Sequence, residues 1–535
     1  MLRCIQPARY PCGVMRSRLL LFAALVALLV GARLMWSPGL IGHPGGEVYG
    51  HAWVQWWHAE AMPAWPSGPG AWLVNPRAWP VIDPLPTAIA SLIGRVAGPA
   101  AGWNALVLGG IMLAFWGGAD LARRAGGDPF IGGLALALAP SLLGSTASGL
   151  TEDLAVGLAA MALARVGDAD WRQGAAAGLL LGVLCWCGPL LAWMTGLAAL
   201  GLGIAAVIQG RHRWVGLAAG AAAAAPLALP AALLQGERIL GRGHRTGAFV
   251  EQFEPLWRLN PWRGVDLASF VSPGPVGLED AIVRIHPGYL GWSLLGLAIL
   301  GRFSRWWILL GCAVLLAPGP RLAWMGQPLD LDNPFVALLR SVPMGDLVNH
   351  HGRFLLIGGV ALSALASRGA ARIPARWRLL VGGLVAMDLA ALSPLQAPLP
   401  TTPRTPVLVF DCATGPCTDD LSAGGLLELP AAGPGIHFQR PLLQQAYHRR
   451  AILADPNRPG LPPDIARTES GRWLGSLAFD DPAPPPGKFR PPEGIAVLVS
   501  RDPETTSRME DVLGPPDLSR GGSAAWDVGI RPDGD

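Results

Sequence analysis

The run WNALVLGGIMLAFWGGADLARR, from Trp103 to Arg124, decides the fold class. It is almost wholly apolar as far as Leu121, long enough for a helix to cross a bilayer core, and it stops on Arg123 and Arg124. Similar apolar stretches of roughly 15–20 residues recur from Arg18 to Pro394. The polar joints between them alternate. One set is short and studded with arginine; the other is long, rich in tryptophan and proline, and carries acids. This pattern predicts a mainly α, polytopic transmembrane helix bundle with a defined orientation and an elaborated outer face.

Composition agrees. Charged residues make up 15% and hydrophobic ones 51%, where a soluble chain carries nearer a quarter charged residues. The net charge of +4 is spread over the joints, so it does not mark a nucleic-acid surface. Arginine supplies almost all the positive charge; Lys488 is the one lysine.

Arg3, Arg9, Arg16 and Arg18 precede the first apolar run, Leu19–Trp36, and hold residues 1–17 in the cytoplasm. A cleaved signal peptide has the same opening, but Arg33, Met35 and Trp36 stand where small residues precede a cut, which favours an uncleaved helix. Further runs follow at Trp103–Leu121, Phe130–Leu143, Leu154–Ala164, Gly174–Ile208, Trp214–Leu234, Tyr289–Leu300, Trp306–Leu316, Phe354–Ala366 and Leu379–Leu392. Gly188-Pro189 divides Gly174–Ile208 in two, because proline cannot donate to the helix ladder. The expected membrane domain covers 18–395 with about eleven spans, every arginine cluster lying on one side. Its long outer loops are 37–102, 235–287 and 319–353. An odd count leaves the C-terminus outside. Residues 396–535 then form a proline-rich linker and a small α/β domain, with strand-like runs at Val407–Phe410, Leu426–Leu429, Ile495–Val499 and Ala525–Val528. Of seven cysteines, Cys412 and Cys417 stand together outside, around a Gly415-Pro416 turn that could close a disulfide.

No phosphate loop, dinucleotide fingerprint or nucleophile elbow occurs. Candidate chemistry is therefore sought among polar residues at the outer ends of the spans. In the segment Gly45–His58, Glu47, His51 and His58 share one face if the stretch is helical, beside Trp53 and Trp57. A carboxylate with imidazoles and aromatic rings suits a general base, a divalent metal site or a sugar platform; an interfacial aromatic belt has the same look. Thr151-Glu152-Asp153 either caps a helix or acts in a site. Asp83 lies in a proline-flanked turn. His350, His351 and Arg353 precede a late span, where an arginine either binds phosphate or reaches for lipid headgroups. The loop 235–287 adds Arg238, Arg242, His244, Arg245 and Arg258.

This order of parts resembles the GT-C superfamily of integral-membrane glycosyltransferases, among them oligosaccharyltransferases and protein mannosyltransferases. It is nearer still to bacterial GT-C-like membrane proteins in which Gly-Asp-x-x-x-His-x-Trp-x-x-Trp-Trp follows the first span. Here that motif reads from Gly46-Glu47 to Trp57, and Gly352-Arg353-Phe354, Glu428-Leu429-Pro430 and Gln444-Gln445-Ala446-Tyr447-His448 echo later ones. Two residues depart from it: Glu47 replaces aspartate, and His351-Gly352 replaces a proline before Arg353. The resemblance implies transfer of a sugar from a polyprenyl-phosphate donor to an envelope glycan, lipid or protein acceptor at the periplasmic face of a bacterial inner membrane. Glu47, Glu152 and Asp153 would be catalytic. His51, Trp53, Trp57, His58, Asp83, His350, His351 and Arg353 would bind substrate. The alternative is a non-catalytic membrane protein that binds or moves a lipid-linked glycan, or scaffolds envelope assembly. Alkaline phosphatase is expected to be active when fused after Leu421 and inactive when fused after Arg213; the reverse pattern would invert the topology.

Overall fold

A computed structural model gives the architecture. It describes Phe22 and residues 39–43, 46–61, 83–166, 170–208, 214–241, 264–273, 287–342, 345, 348, 350–393, 399–403, 424–430, 445, 452–453, 461, 463–477, 482–520 and 523–529. Strand β1 (Gly39–Ile41) leads into helix α1 (Val48–Trp56), which a π-turn at Trp57–Ala61 prolongs. Then come α2 (Pro84–Ala97), α3 (Pro99–Arg124), α4 (Pro129–Ala137) and α5 (Pro140–Ser148). A 3-10 turn at Thr151–Ala155 opens α6 (Val156–Arg165). Helices α7 (Trp171–Cys187), α8 (Pro189–Ile208), α9 (Trp214–Gly241), α10 (Trp292–Leu300) and α11 (Arg305–Leu316) follow. A hairpin of β2 (Arg321–Trp324) and β3 (Gln327–Asp332) precedes α12 (Pro334–Arg340). The turn His351–Arg353 opens α13 (Phe354–Ala370), and α14 is Arg378–Ala391. Prolines stand at the first position of six of these helices, where the missing N–H costs nothing and the fixed φ is already helical.

Five stretches among the described residues are long and apolar enough to cross a bilayer: 99–124, 129–148, 189–208, 214–233 and 351–370. The sequence suggested about eleven. The expected break at Gly188-Pro189 is present. The other apolar runs form shorter pieces because glycine and proline interrupt them; α10 holds only 9 residues, roughly 14 Å at 1.5 Å per residue. The first run lies outside the described residues except for Phe22, which is buried and stacks on Phe115 with ring centroids 3.9 Å apart.

The arginine-bearing joints gather at one end. Arg165, Arg123 and Arg124 all reach Asp120, Arg124 also donates to Gln173, and Arg378 pairs with Asp128. Arg372 donates to the Leu300 carbonyl of the neighbouring joint. The polar residues inside the apolar stretches are structural. Asp388 accepts from Tyr289 and twice from Ser293, tying α14 to the start of α10. Asn104 brackets β1 by bonding Ile41 N–H and the Gly39 carbonyl.

Loops expected to be irregular carry structure. Residues 37–102 include α1 and α2, and 319–353 include the hairpin and α12. Strand β4 (Thr401–Pro403) pairs antiparallel with β1. Beyond it, β5 (Gly425–Leu429), β6 (Ile495–Ser500), β7 (Leu518–Arg520) and β8 (Ser523–Asp527) form a mixed sheet in the order β5-β6-β8-β7. Helices Glu469–Ser476 and Pro503–Leu513 accompany the sheet, and Leu427, Leu474, Leu498 and Met509 form a separate small core. Three of the four strand-like runs coincide with strands; Val407–Phe410 lies outside the described residues, as do Cys412 and Cys417. Cys187 is buried, whereas Cys312 is exposed on α11 instead of packing in the core.

Helices α3 and α6 meet backbone to backbone. A Cβ on Gly157 would sit 2.1 Å from the Leu113 carbonyl oxygen, and one on Gly117 would sit 2.2 Å from that of Gly157. Small residues give apolar helices this close approach. Gly157→Ala should force the pair apart and cost about 1–3 kcal/mol, read as a lower thermal unfolding midpoint in detergent.

Candidate functional site

Four segments distant in sequence meet at the end of the bundle away from the arginine joints. Glu47 stands at the N-terminus of α1. Its N–H bonds the Ser148 carbonyl at 2.7 Å, so α1 begins directly against the end of α5. Two glycines permit that approach. A Cβ on Gly46 would lie 2.6 Å from Ser148 O, and Gly149, at φ +83°, would place one 2.6 Å from Val48 N. Gly149 also turns the chain from α5 into the Thr151–Ala155 turn that presents Glu152 and Asp153.

One helical turn on from Glu47, His51 comes within 3.4 Å of the Glu47 carboxylate through Nε2, the i,i+4 relation expected of a helix. Its Nδ1 lies 3.0 Å from the Thr151 hydroxyl. The Asp83 carboxylate accepts from the Thr87 hydroxyl at 3.0 Å. Trp103 lies beside the imidazole, with ring centroids 6.3 Å apart. Arg353 reaches Glu152 at 2.5 Å through a terminal nitrogen and Asp153 at 3.7 Å through Nε. Ser145 donates to Asp153 at 2.9 Å. The cluster thus brings together four acids, one imidazole and one guanidinium. Asp83, Asp153 and Arg353 are buried, while Glu47 keeps 31% of its side chain exposed and stands at the mouth.

Burial and charge pull the two groups of the first loop in definite directions. Burial works against a charged His51, but the hydrogen bond to Glu47 and the charges of Asp83, Glu47 and Glu152 outweigh it, pushing the imidazole up to about 9. At neutral pH both ring nitrogens then donate, Nε2 toward Glu47 and Nδ1 toward Thr151. Burial lifts the Asp83 carboxyl to about 6 against the opposing charge of His51. For Arg353, losing it would strand two buried carboxylates, a loss on the order of 3–5 kcal/mol for such pairs.

Not every candidate joins the cluster. Trp53 and Trp57 are buried in the core and offer no ring face for a sugar; Trp53 donates through Nε1 to Gln445 at 3.0 Å. The π-turn begins at Trp57, and His58 packs edge-on against it with centroids 5.1 Å apart. Buried His351 and half-buried His350 belong to the turn that delivers Arg353. The loop arginines from Arg238 to Arg258 lie outside the described side chains. Ser145, Thr87 and Trp103 are members that sequence reading missed, and none carried a local signal; Thr151 belonged to the acidic segment already singled out. A metal does not fit well. No three His, Cys, Asp or Glu side chains among the described residues are grouped to hold one, and Arg353 already supplies the cation for Glu152 and Asp153.

No protein-family model and no curated protein matches the chain. A solved structure of the mycobacterial arabinofuranosyltransferase AftD is similar over 93% of this chain, with a TM-score of 0.50 and 16% identity. The chain shares the fold of that structure. It spans only 37% of the length of AftD. ArnT from Cupriavidus metallidurans aligns over 96% of this chain and 98% of its own, at a TM-score of 0.40 and 14% identity. Five described stretches of this fold are long and apolar enough to cross a membrane.

The pH dependence of stability follows from the cluster. His51 holds its proton more tightly in the folded chain than as a free imidazole near 6.5. Its contribution is therefore complete below about 6.5 and lost as pH rises through about 9. Asp83, also raised, loses its contribution lower, by about 6. The thermal midpoint in detergent should fall between neutral pH and pH values beyond the His51 transition, and His51→Gln should flatten that fall.

Proposed function

We propose that this chain is an inner-membrane glycosyltransferase-like protein of GT-C architecture, transferring a sugar from a polyprenyl-phosphate-linked donor to an envelope acceptor at the periplasmic face. The single observation that carries the reading is the gathering of Glu47, His51, Asp83, Glu152, Asp153 and Arg353 at the end of the bundle opposite the arginine joints. Arginine-rich joints favour the cytoplasmic side, which puts the cluster on the far side, with residues 396–535 as a periplasmic α/β domain.

In this reading Glu47 is the acceptor-activating base. It takes the proton of an acceptor hydroxyl as that oxygen bonds the anomeric carbon of the sugar. The bond from that carbon to the phosphate oxygen breaks, and the polyprenyl phosphate leaves with the electron pair. Protonated His51 holds the Glu47 carboxylate in place. Glu152 and Asp153 keep Arg353 at the cluster, where the donor phosphate competes with a carboxylate for the guanidinium. The loop arginines around Arg242 would meet the donor as it arrives. Trp53 and Trp57 are left as packing residues.

The second reading, a non-catalytic protein that binds or moves a lipid-linked glycan, is favoured by one feature: the described cations of the cluster are already paired with carboxylates. Glu47→Gln keeps the shape of the side chain and removes the base. It should abolish sugar transfer from a polyprenyl-phosphate donor in membranes, with the protein still inserted. Unchanged transfer would remove Glu47 from the chemistry, and the absence of transfer by the unmodified chain would favour the binding reading.

A further inference from the structure

The hairpin β2–β3 has two unlike faces. By strand alternation and the pairing of Arg321 with Asp332 and Trp324 with Gln327, Arg321, Asp330 and Asp332 lie on one face. Leu322, Trp324, Leu329 and Leu331 lie on the other. Trp324 and Leu331 are 51% and 57% exposed. Helix α12 continues this outward face: Val336 and Leu339 are buried, but Phe335 and Leu338 are 43% and 67% exposed.

The turn itself gives a second, independent signal. Met325 and Gly326 have φ of +53° and +78°, the left-handed pair of a two-residue hairpin turn, where asparagine or aspartate before glycine is the favoured choice. Methionine pays a backbone penalty there, and its side chain is 63% exposed. The backbone penalty is the same in any solvent, but so exposed an apolar side chain favours apolar surroundings.

The hairpin is also held rigidly. The buried carboxylate of Asp266 accepts from Met325 N–H at 3.1 Å and Gly326 N–H at 2.8 Å. At the base, the Asn333 side chain donates to the Leu315 carbonyl at 2.8 Å and caps α12 by accepting from Phe335 N–H. That second anchor places the outward face next to the exposed apolar flank of α11, where Ile308 and Leu315 are 61% and 43% exposed. Helix α11 is a 12-residue apolar helix, shorter than a full crossing, and its exposed apolar flank suits lipid better than water.

We infer that the β2–β3 hairpin and α12 form an amphipathic element seated in the bilayer interface at the end of the bundle that carries the acid cluster, with Trp324, Met325, Leu331, Phe335 and Leu338 inserted among the lipids. The occupant of this face is the bilayer, because the face continues the exposed apolar flank of α11 and because tryptophan favours the headgroup level. Arg321, Asp330 and Asp332 remain on the aqueous side. The inference does not depend on sugar transfer.

The test places the photoreactive analogue p-benzoylphenylalanine at position 324, 331 or 338 of the full chain, and at 330 as the opposite-face control, in phosphatidylethanolamine/phosphatidylglycerol nanodiscs. Irradiation should give phospholipid adducts at 324, 331 and 338, several-fold above the yield at 330, read by mass. Positions 324 and 338 sit on different elements, so loss of one variant to misfolding leaves the other to decide. Equal yields at 330 and 331, or crosslinks to protein in place of lipid at 324, 331 and 338, would overturn the inference.

Discussion

A buried guanidinium between two carboxylates governs how this end of the bundle is built. Away from water, an unpaired charge is far more expensive than the net worth of any pair it makes. The turn that opens α13 and the turn that opens α6 must therefore stay in contact, since one carries Arg353 and the other Glu152 and Asp153. That contact fixes α6 against α13, and the glycine contacts of Gly157 then fix α3. Helix α1 joins because Glu47 begins against α5, and His51 locks onto Thr151 of the same turn. One ionic contact thus sets the positions of four helices, and these hold the acids in place.

The two ends of the bundle solve opposite electrostatic problems. At one end arginines outnumber acids and lie near the surface, with Asp120 and Asp128 each holding them in place. At the other, acids outnumber cations and are drawn inward. Retaining buried acids in excess is costly, and proteins do so where charge is used. Glu47, alone among the cluster's acids in keeping substantial exposure, is the group able to meet an incoming hydroxyl.

Much of this was legible from residues. Arginine after apolar runs gave the bundle and its polarity, and Gly188-Pro189 gave a helix break where the structure has one. The spacing of Glu47 and His51 gave their contact because four residues is one helical turn. What the residues left open was length. Apolar composition alone does not distinguish a full crossing from a 9-residue helix such as α10, because short runs stay buried against neighbours as well as long ones do. Trp53 and Trp57 misled for a related reason: indole rings suit sugar platforms, interfaces and cores alike, and only packing tells them apart. Thr87 and Ser145 lie only 4 and 8 residues from the acids they bond, but nothing in their local sequence sets them apart from other hydroxyls, and Trp103 meets His51 only through the fold.

Two bonds tie the beginning of the chain to its far end. Among the described residues strand β1 pairs with β4, and Trp53 on α1 bonds Gln445, 392 residues away. A growing chain emerges in order, so α1 can meet α5 and the Thr151 turn before residues 401–403 and 445 have been made. Those later residues then add their own hold on β1 and α1. A chain ended before residue 401 would carry every acid of the cluster without the strand and side chain that reach back to β1 and α1.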